Sequence, residues 1–208
     1  LAGLFLNPPH QAPVFRSGID VVQLDVSVLD KQRKPVRGLA ADDFTRVGCN
    51  DKRLAKVVAF ERLHTLDLRA AGITAKGLQA LSGLKELHTI DLGGIPFQDD
   101  AAAVLKSFPE LKSVSLARSG VTEAGIKDLK GLKKLQHLNL DGCFRLNTEA
   151  MKELAAFPAL TSLSLRNACK GEGLKALKGS KVQELHLESV FITDDAMKDL
   201  AEFPALAT

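Results

Sequence analysis

The 208-residue sequence contains no tryptophan and no tyrosine, and aromatic side chains make up only 5% of it. Its three cysteines, Cys49, Cys143 and Cys169, are an odd number with no CxxC spacing, which argues against a zinc site and a disulfide-stapled fold. We expect them to be buried, reduced and structural. No stretch of 18 apolar residues is present, so we expect no transmembrane helix. The GxSxG, HExxH and phosphate-loop motifs are also missing, which leaves no recognisable enzyme signature.

Charge is low overall but unevenly distributed. The chain has 28 basic and 25 acidic side chains, a formal net charge of +3. Residues 1–62 hold ten basic and seven acidic side chains, whereas residues 63–208 hold eighteen of each. The larger part is therefore neutral and predicts no groove that follows a phosphate backbone. The apolar content of 45% and the charged content of 25% are those of a soluble globular protein and exclude a disordered chain.

A repeated motif dominates the second part of the sequence. Leu63-His-Thr-Leu66-Asp-Leu68 recurs as Leu87-His-Thr-Ile90-Asp-Leu92, and further copies begin at residues 111, 135, 160 and 182. A seventh copy begins at Leu206. The start-to-start spacings are 24, 24, 24, 25, 22 and 24 residues. Such a constant period predicts a repeat architecture in which each unit stacks on its neighbours.

Each copy has two halves with different hydrophobic periods. The LxxLxL half alternates apolar and polar residues, which predicts a strand, and the second half spaces apolar residues by three, which predicts a helix. A threonine precedes four of the predicted helices and is a candidate N-cap in each: Thr74, Thr122, Thr148 and Thr193. Repeats two, four and six end in Phe-Pro, which indicates duplication of a two-repeat unit. Because helices need more room than strands, the stack should bend with a parallel sheet on its concave side and helices on its convex side.

These features resemble the leucine-rich repeat family, in the long-repeat form of its bacterial and ribonuclease-inhibitor-like members. The resemblance implies an α/β solenoid over residues 63–208. The family often places Asn or Cys in the loop after the strand, and here only Cys143 fits, so we expect backbone hydrogen bonds to satisfy these loops. The repeats of 25 and 22 residues should be irregular near residues 143–146 and 169–173.

The first sixty residues follow a different pattern. We expect a flexible segment over residues 1–14 and a small β-rich unit over residues 15–62, with strands near residues 22–28, 44–47 and 57–60, that caps the first repeat. This region resembles the β-rich segment before the von Willebrand A domain of exported bacterial proteins. No DxSxS motif follows it, so no metal site is carried over. The resemblance implies a bacterial protein and favours an extracytoplasmic location over a cytoplasmic one.

Alternate residues of each strand should face the concavity, together with the charged residues that follow the strands. This surface, here called the concave face, carries the candidate binding residues. They are Thr65, Asp67, Arg69, Thr89, Asp91, Ser113, Ser115, His137, Asn139, Asp141, Ser164, Arg166, Glu184, His186 and Glu188. No aromatic side chain is among them, so Arg69 and Arg166 are the expected anchors for a partner.

Three chemical alternatives involve residues of the same surface. Asp67, Asp91 and Asn139, with His137 nearby, offer ligands for a hard cation, although Ser115 interrupts the cluster. His137 and Cys143 are a conceivable nucleophile pair without a third, orienting group. A pH-dependent contact at His186, which lies between Glu184 and Glu188, is the third. A solvated or structural role explains each of these groups better, so we expect no metal site and no cofactor.

The sequence therefore favours a non-enzymatic scaffold that binds another protein through its concave face. The alternative is a structural spacer within a larger exported or surface bacterial protein, with no dedicated ligand. We expect a monomer, with no nucleic-acid partner and no membrane insertion.

Overall fold

The computed structural model describes residues 50–59, 63–168, 173–188, 193–194, 197–198 and 203. Within these residues the chain forms one six-stranded parallel sheet in which the strands follow each other in sequence order. The strands are β1 (Thr65–Asp67), β2 (Thr89–Asp91), β3 (Ser113–Ser115), β4 (His137–Asn139), β5 (Ser162–Ser164) and β6 (Glu184–His186). The predicted strand of each of the first six repeats is thereby confirmed.

A helical segment follows each of the first five strands and returns the chain to the start of the next one. The α-helices are α1 (Asp51–Leu54), α2 (Ala75–Ala80), α3 (Asp99–Leu105), α4 (Glu123–Leu129) and α5 (Thr148–Ala155). In the described part of the chain, three 3₁₀ segments accompany them: Ala55–Ala59 after α1, Leu81–Gly83 after α2, and Leu174–Leu177 in the fifth repeat. The order of strand, loop, helix and return loop is as predicted.

The core lies between the sheet and the helices. The middle residue of each of the first five strands is buried between two partly or fully exposed neighbours. The parallel register aligns Leu66 with Ile90, and Ile90 with Val114. Strands stack about 4.8 Å apart and helices about 10 Å apart, so the solenoid curves with the sheet on its concave side and the helices on its convex side.

The helix N-termini confirm two of the predicted caps and correct a third. Thr74 and Thr122 are the N-caps of α2 and α4, and each hydroxyl accepts a hydrogen bond from an amide of the first turn. In the fourth repeat, however, Asn147 is the N-cap, and its side chain accepts from the Ala150 amide at 2.9 Å. The prediction of Thr148 was wrong because the 25-residue repeat places the asparagine where the chain enters the helix, and asparagine is an equally good cap.

The two repeats of unusual length differ from the others in the described residues. In the fourth, the loop after β4 leaves the Phe144 side chain 79% exposed. In the fifth, the 3₁₀ segment Leu174–Leu177 stands in place of an α-helix, which fits its shorter length of 22 residues. Residues 169–172 lie outside the described part of the chain.

Backbone hydrogen bonds close the loops after the strands, as expected in the absence of an asparagine ladder. The amide of Ala71 donates to the Leu68 carbonyl at 3.0 Å, and the Cys143 amide donates to the Leu140 carbonyl at 3.1 Å. The Cys143 side chain also contributes, since its thiol donates to the Leu116 carbonyl at 3.2 Å. This cysteine is fully buried, which confirms its structural placement.

Residues 51–59, before the first strand, are helical rather than extended. The prediction of a strand at residues 57–60 was wrong, because Ala55–Ala59 is a 3₁₀ segment. Leu54 and Val57, three residues apart, are both buried in the core, so packing on the first repeat overrides the β-propensity of the two valines. The predicted segment 1–14, the strands near residues 22–28 and 44–47, and most of the capping unit lie outside the described residues.

Candidate binding surface

The structure brings the predicted binding residues together on one side of the molecule. The first and last residues of each strand are at least partly exposed on the sheet side, while the middle residue faces the core. Arg69, Arg166 and Glu188 follow their strands and are exposed, and Asp141 is half-buried. The concave face is therefore a continuous polar surface across six strands, and its composition varies along the sheet.

At the first strands, an ion-pair cluster occupies the concave face. The Arg69 guanidinium donates to both carboxylate oxygens of Asp67, with distances of 2.6 to 3.0 Å. Its Nε also lies 3.6 Å from the Asp91 carboxylate. The predicted anchor Arg69 is thus already held by carboxylates of its own sheet, which orients it and lowers the charge that it presents to a partner.

Several predicted binding residues hold the backbone of the loop that follows them. The Asp91 carboxylate accepts from the Gly93 amide at 2.9 Å, and the Asn139 side chain accepts from the Asp141 amide at 2.8 Å. Asp67 accepts from the Arg69 amide in the same way, at 3.0 Å. These Asx turns fix the chain as it leaves the sheet.

Asp141 connects the fourth repeat with the fifth. Its carboxylate accepts from the Ser164 hydroxyl at 2.6 Å and from the Arg166 amide at 2.9 Å. The Arg166 side chain lies 3.9 Å from a carboxylate oxygen of Glu188 in the next repeat. Asp141 and Ser164 therefore have a structural role, and Arg166 is only loosely paired.

Three exposed side chains on the last strands have no such internal role. Within the described part of the chain, His137, Glu184 and His186 make no side-chain hydrogen bond or ion pair, and all three are exposed. Ser113 and Ser115 of β3 are small and half-buried, so the surface projects little between the ion-pair cluster and the exposed side chains of β4 and β6. Among the described residues, the exposed side chains of the concave face that have no internal partner thus lie on β4 and β6.

The chemical alternatives gain no support from this geometry. No group of three or more His, Cys, Asp or Glu side chains among the described residues is arranged to hold a metal ion. Asp67 and Asp91, the proposed cation ligands, are engaged by Arg69 and by backbone amides. Cys143 is buried against the Leu116 carbonyl, and burial raises the pKa of its thiol.

Sequence reasoning missed two features beside the concave face. The imidazole rings of His64 and His88 stack with centroids 5.0 Å apart, and His64 Nε2 lies 3.7 Å from Glu86. The signal was the repeated Leu-His-Thr, which places both histidines at one position of consecutive repeats. The other feature is the exposed Phe144 with its neighbour Arg145, for which the extra residue of the fourth repeat was the signal.

Among the described residues, no helix has the length and apolar character needed to cross a bilayer. No protein-family model and no curated protein sequence matches the chain.

Solved structures of two leucine-rich repeat proteins are similar to this one. An internalin from Listeria monocytogenes matches with a TM-score of 0.52 and 18% identity, over 74% of this chain and 49% of the internalin. The complex of TLR13 with ssRNA13 matches with a TM-score of 0.50 and 20% identity, over 71% of this chain and 22% of that one. This chain therefore spans less than two thirds of either. Together with the parallel sheet and its repeated helices, these matches identify an α/β leucine-rich repeat solenoid.

Proposed function

We propose that this chain is a non-enzymatic scaffold that binds another protein through the concave face. One observation carries the proposal: His137, Glu184 and His186 are exposed polar side chains with no internal partner within the described residues. Groups that are fixed on strands lose little freedom when they bind, so they suit recognition better than side chains of a mobile loop.

The dimensions of the face suit an extended polypeptide. Six strands about 4.8 Å apart span roughly 24 Å, which matches about seven residues of extended chain. Ser113 and Ser115 offer hydroxyls but little bulk in the middle, so a peptide backbone can approach the sheet there. The ion-pair cluster of Asp67, Arg69 and Asp91 would bound this path at one end, and Glu184 and His186 would bound it at the other.

The absence of catalytic machinery among the described residues supports a binding role. Within that part of the chain, Cys143 is buried in the core, and the carboxylates of Asp67, Asp91 and Asp141 are tied to backbone amides or to Arg69. Isolated exposed histidines such as His137 lack the orienting partner that general base catalysis or nucleophile activation needs.

Site-specific photo-crosslinking tests this proposal. A benzophenone amino acid would replace His137 or His186 on the concave face, or Lys76 on the exposed side of α2 as the control. We expect cell extract or culture medium to yield a covalent adduct with one protein from the concave positions and none from position 76. The variant Glu184→Lys should weaken the adduct formed at position 137, whereas Lys76→Glu should not.

Equal labelling from all three positions, or no adduct from a chain with unchanged circular dichroism, would contradict concave-face binding. The second outcome favours the spacer role. Arg69 is left out of the variants because its substitution would break the ion pair with Asp67 and disturb the end of β1.

A further inference from the structure

We infer that the loops after β3 and β4 form a second docking surface, which binds an acidic segment of a partner protein. The surface, here called the arginine edge, consists of Arg118, Phe144 and Arg145, with Gln98 beneath Arg145. It lies where the strands end rather than on the concave face, so it goes beyond the function proposed above and does not depend on it.

Arginine and lysine are segregated in the repeats. Residues 63–208 contain four arginines and fourteen lysines. All four arginines, Arg69, Arg118, Arg145 and Arg166, lie in loops that directly follow a strand. The described lysines lie on helices or in the return loops. Arginine is enriched and lysine depleted in protein interfaces, because the planar guanidinium binds carboxylates through paired hydrogen bonds and is weakly hydrated.

Two of these arginines have no acidic partner. Arg69 is paired with Asp67, and Arg166 lies near Glu188. Arg118, by contrast, makes no side-chain hydrogen bond or ion pair within the part of the chain that the structure describes. Arg145 donates only to the neutral Gln98 side chain, at 2.7 Å. Two guanidinium groups of neighbouring repeats therefore carry charge that the described residues leave unpaired.

The acidic residues at the nearby helix N-termini are already engaged. The Asp99 carboxylate binds the amide and hydroxyl of Thr122, and Asp100 accepts from the Ala101 amide at 2.9 Å. Glu123 and Glu149 pair with lysines of their own helices. These nearby carboxylates of the described residues therefore do not complement the arginine edge, and we take its acidic partner from another molecule.

The backbone of Arg118 adopts an unfavourable conformation that fixes where its side chain lies. Arg118 has a φ of 60°, in the left-handed region, at a position that is glycine in the flanking repeats, Gly94 and Gly142. A bulky side chain is unfavourable there. The Arg118 side chain packs closely on Gly142: a Cβ added at that glycine would lie 3.1 Å from the Arg118 Cγ. A Cβ at Gly120 would overlap the Gln98 amide, so that glycine lets Gln98 reach Arg145.

Phe144 adds an apolar contact to this charged surface. It is 79% exposed and directly precedes Arg145, although aromatic side chains make up only 5% of the sequence. Phenylalanine and arginine are both enriched in protein interfaces. The partner segment should therefore carry several carboxylates and at least one apolar side chain that packs on Phe144.

The charge pattern favours a protein over a nucleic acid. A nucleic-acid surface typically makes 6–10 phosphate contacts, and two guanidinium groups are too few for that.

Fluorescence anisotropy with defined peptides tests the arginine edge. The probes are fluorescein-labelled twelve-residue peptides that contain six Glu or Asp around one Leu or Phe, and matched peptides in which Gln and Asn replace the acids. We expect the acidic set to bind and the amide set not to bind. The double variant Arg118→Asn/Arg145→Gln should weaken binding at least about tenfold. Arg118→Lys keeps the charge but loses the planar guanidinium group, so its affinity for the acidic peptides should lie between those of the double variant and the wild type.

Matched variants separate this surface from general electrostatic attraction. Lys76→Gln/Lys175→Gln removes two positive charges from the helix side, where both lysines are exposed, and should leave peptide binding unchanged. Phe144→Ser should weaken binding although it alters no charge. Glu184→Gln should have no effect, because it alters the concave face alone.

Four results would overturn the inference: no binding of any acidic peptide at 1 mM, equal binding of the amide peptides, an equal loss in the lysine variant, or tighter binding of a twelve-nucleotide oligouridine. None of these results bears on crosslinking from positions 137 and 186, so the two proposals can fail separately.

Discussion

The Asp51 carboxylate accepts hydrogen bonds from both the amide and the hydroxyl of Thr74, at 2.8 and 2.6 Å. Thr74 is the N-cap of α2, so a residue of the segment before the first repeat holds the helix cap of that repeat. Two repeats later, Asp99 binds Thr122 in the same way, at 2.7 Å to each group. A glycine in the first turn of the receiving helix, Gly77 or Gly125, leaves room for the carboxylate.

Stability should therefore depend jointly on the carboxylate and the glycine. Asp51→Ala should lower the free energy of unfolding by about 1–2 kcal/mol, because Thr74 loses its partner. Gly77→Ala should also destabilise, since its Cβ would overlap the Asp51 carboxylate, although alanine normally stabilises a helix by about 1 kcal/mol. In the Asp51→Ala background this penalty should shrink. Urea denaturation of the double-mutant cycle measures the coupling.

Gly83→Ala is the control, because its Cβ would meet only the Val58 side chain, at an ordinary 3.4 Å. Its effect should be the same with and without Asp51. Additive costs for Asp51→Ala and Gly77→Ala would show that the two residues are not coupled.

The left-handed backbone at Arg118 should make its replacement stabilising. Arg118→Gly should raise the free energy of unfolding by about 1 kcal/mol, since glycine adopts a φ of 60° without steric cost. Ala103→Gly on the exposed side of α3 should lower it by a similar amount, as expected in a helix interior. Equal destabilisation of both variants in thermal and urea unfolding would argue against strain at Arg118.

Glu153 should titrate below the usual range for a glutamate. The hydrogen bond from the Lys130 ammonium, at 2.6 Å, lowers the pKa of its carboxyl group. Because the folded pKa lies below the unfolded one, the ion pair stabilises the fold above about pH 4.3, and this stabilisation is lost as the pH falls through the folded value. NMR titration of the carboxyl carbon should show the lowered pKa, and Lys130→Met should remove most of the shift, leaving the smaller contribution of Lys127. A shift unchanged by that variant would exclude the ion pair as its cause.

Cys143 should resist alkylation in the folded protein. Burial raises the pKa of its thiol, and the thiolate is the reactive form. Iodoacetamide at pH 8 should leave the Cys143 peptide unmodified in native protein and modify it fully in 6 M guanidinium, as read by mass spectrometry. The raised pKa also means that this group stabilises the fold below about pH 8.5, an effect lost as the pH rises toward its folded value. Rapid native labelling would show that the loop opens.

The strands and their register were predictable because one apolar pattern recurs at nearly constant spacing. The LxxLxL motif can bury its leucines only if equivalent residues of adjacent repeats align, as Leu66, Ile90 and Val114 do. The caps at Thr74 and Thr122 followed from residue type and position. Local pattern and repetition therefore accounted for most of the solenoid.

The sequence did not reveal how polar side chains divide between binding and structure. Asp91 and His186 occupy equivalent outward positions at the ends of their strands, yet Asp91 holds the Gly93 amide whereas His186 has no internal role within the described residues. That difference depends on how the chain turns after each strand. The 3₁₀ segment at Val57 was missed for a related reason, since its helical form is stabilised by contacts with a neighbouring repeat.

The Asp–Thr contacts recur in every second repeat, so they constrain how many repeats can be added or removed. Asp51 and Asp99 are 48 residues apart, as are Thr74 and Thr122, so donor and acceptor alternate from one repeat to the next. Removing residues 63–110 would place Asp51 before Thr122 and Gly125 and restore the contact. Removing residues 87–110 alone would place Ala75 at the position before Thr122 that Asp99 occupies, and alanine has no carboxylate. Deletion or insertion of two repeats therefore preserves the Asp–Thr contact, whereas deletion or insertion of one repeat leaves a threonine N-cap without its aspartate.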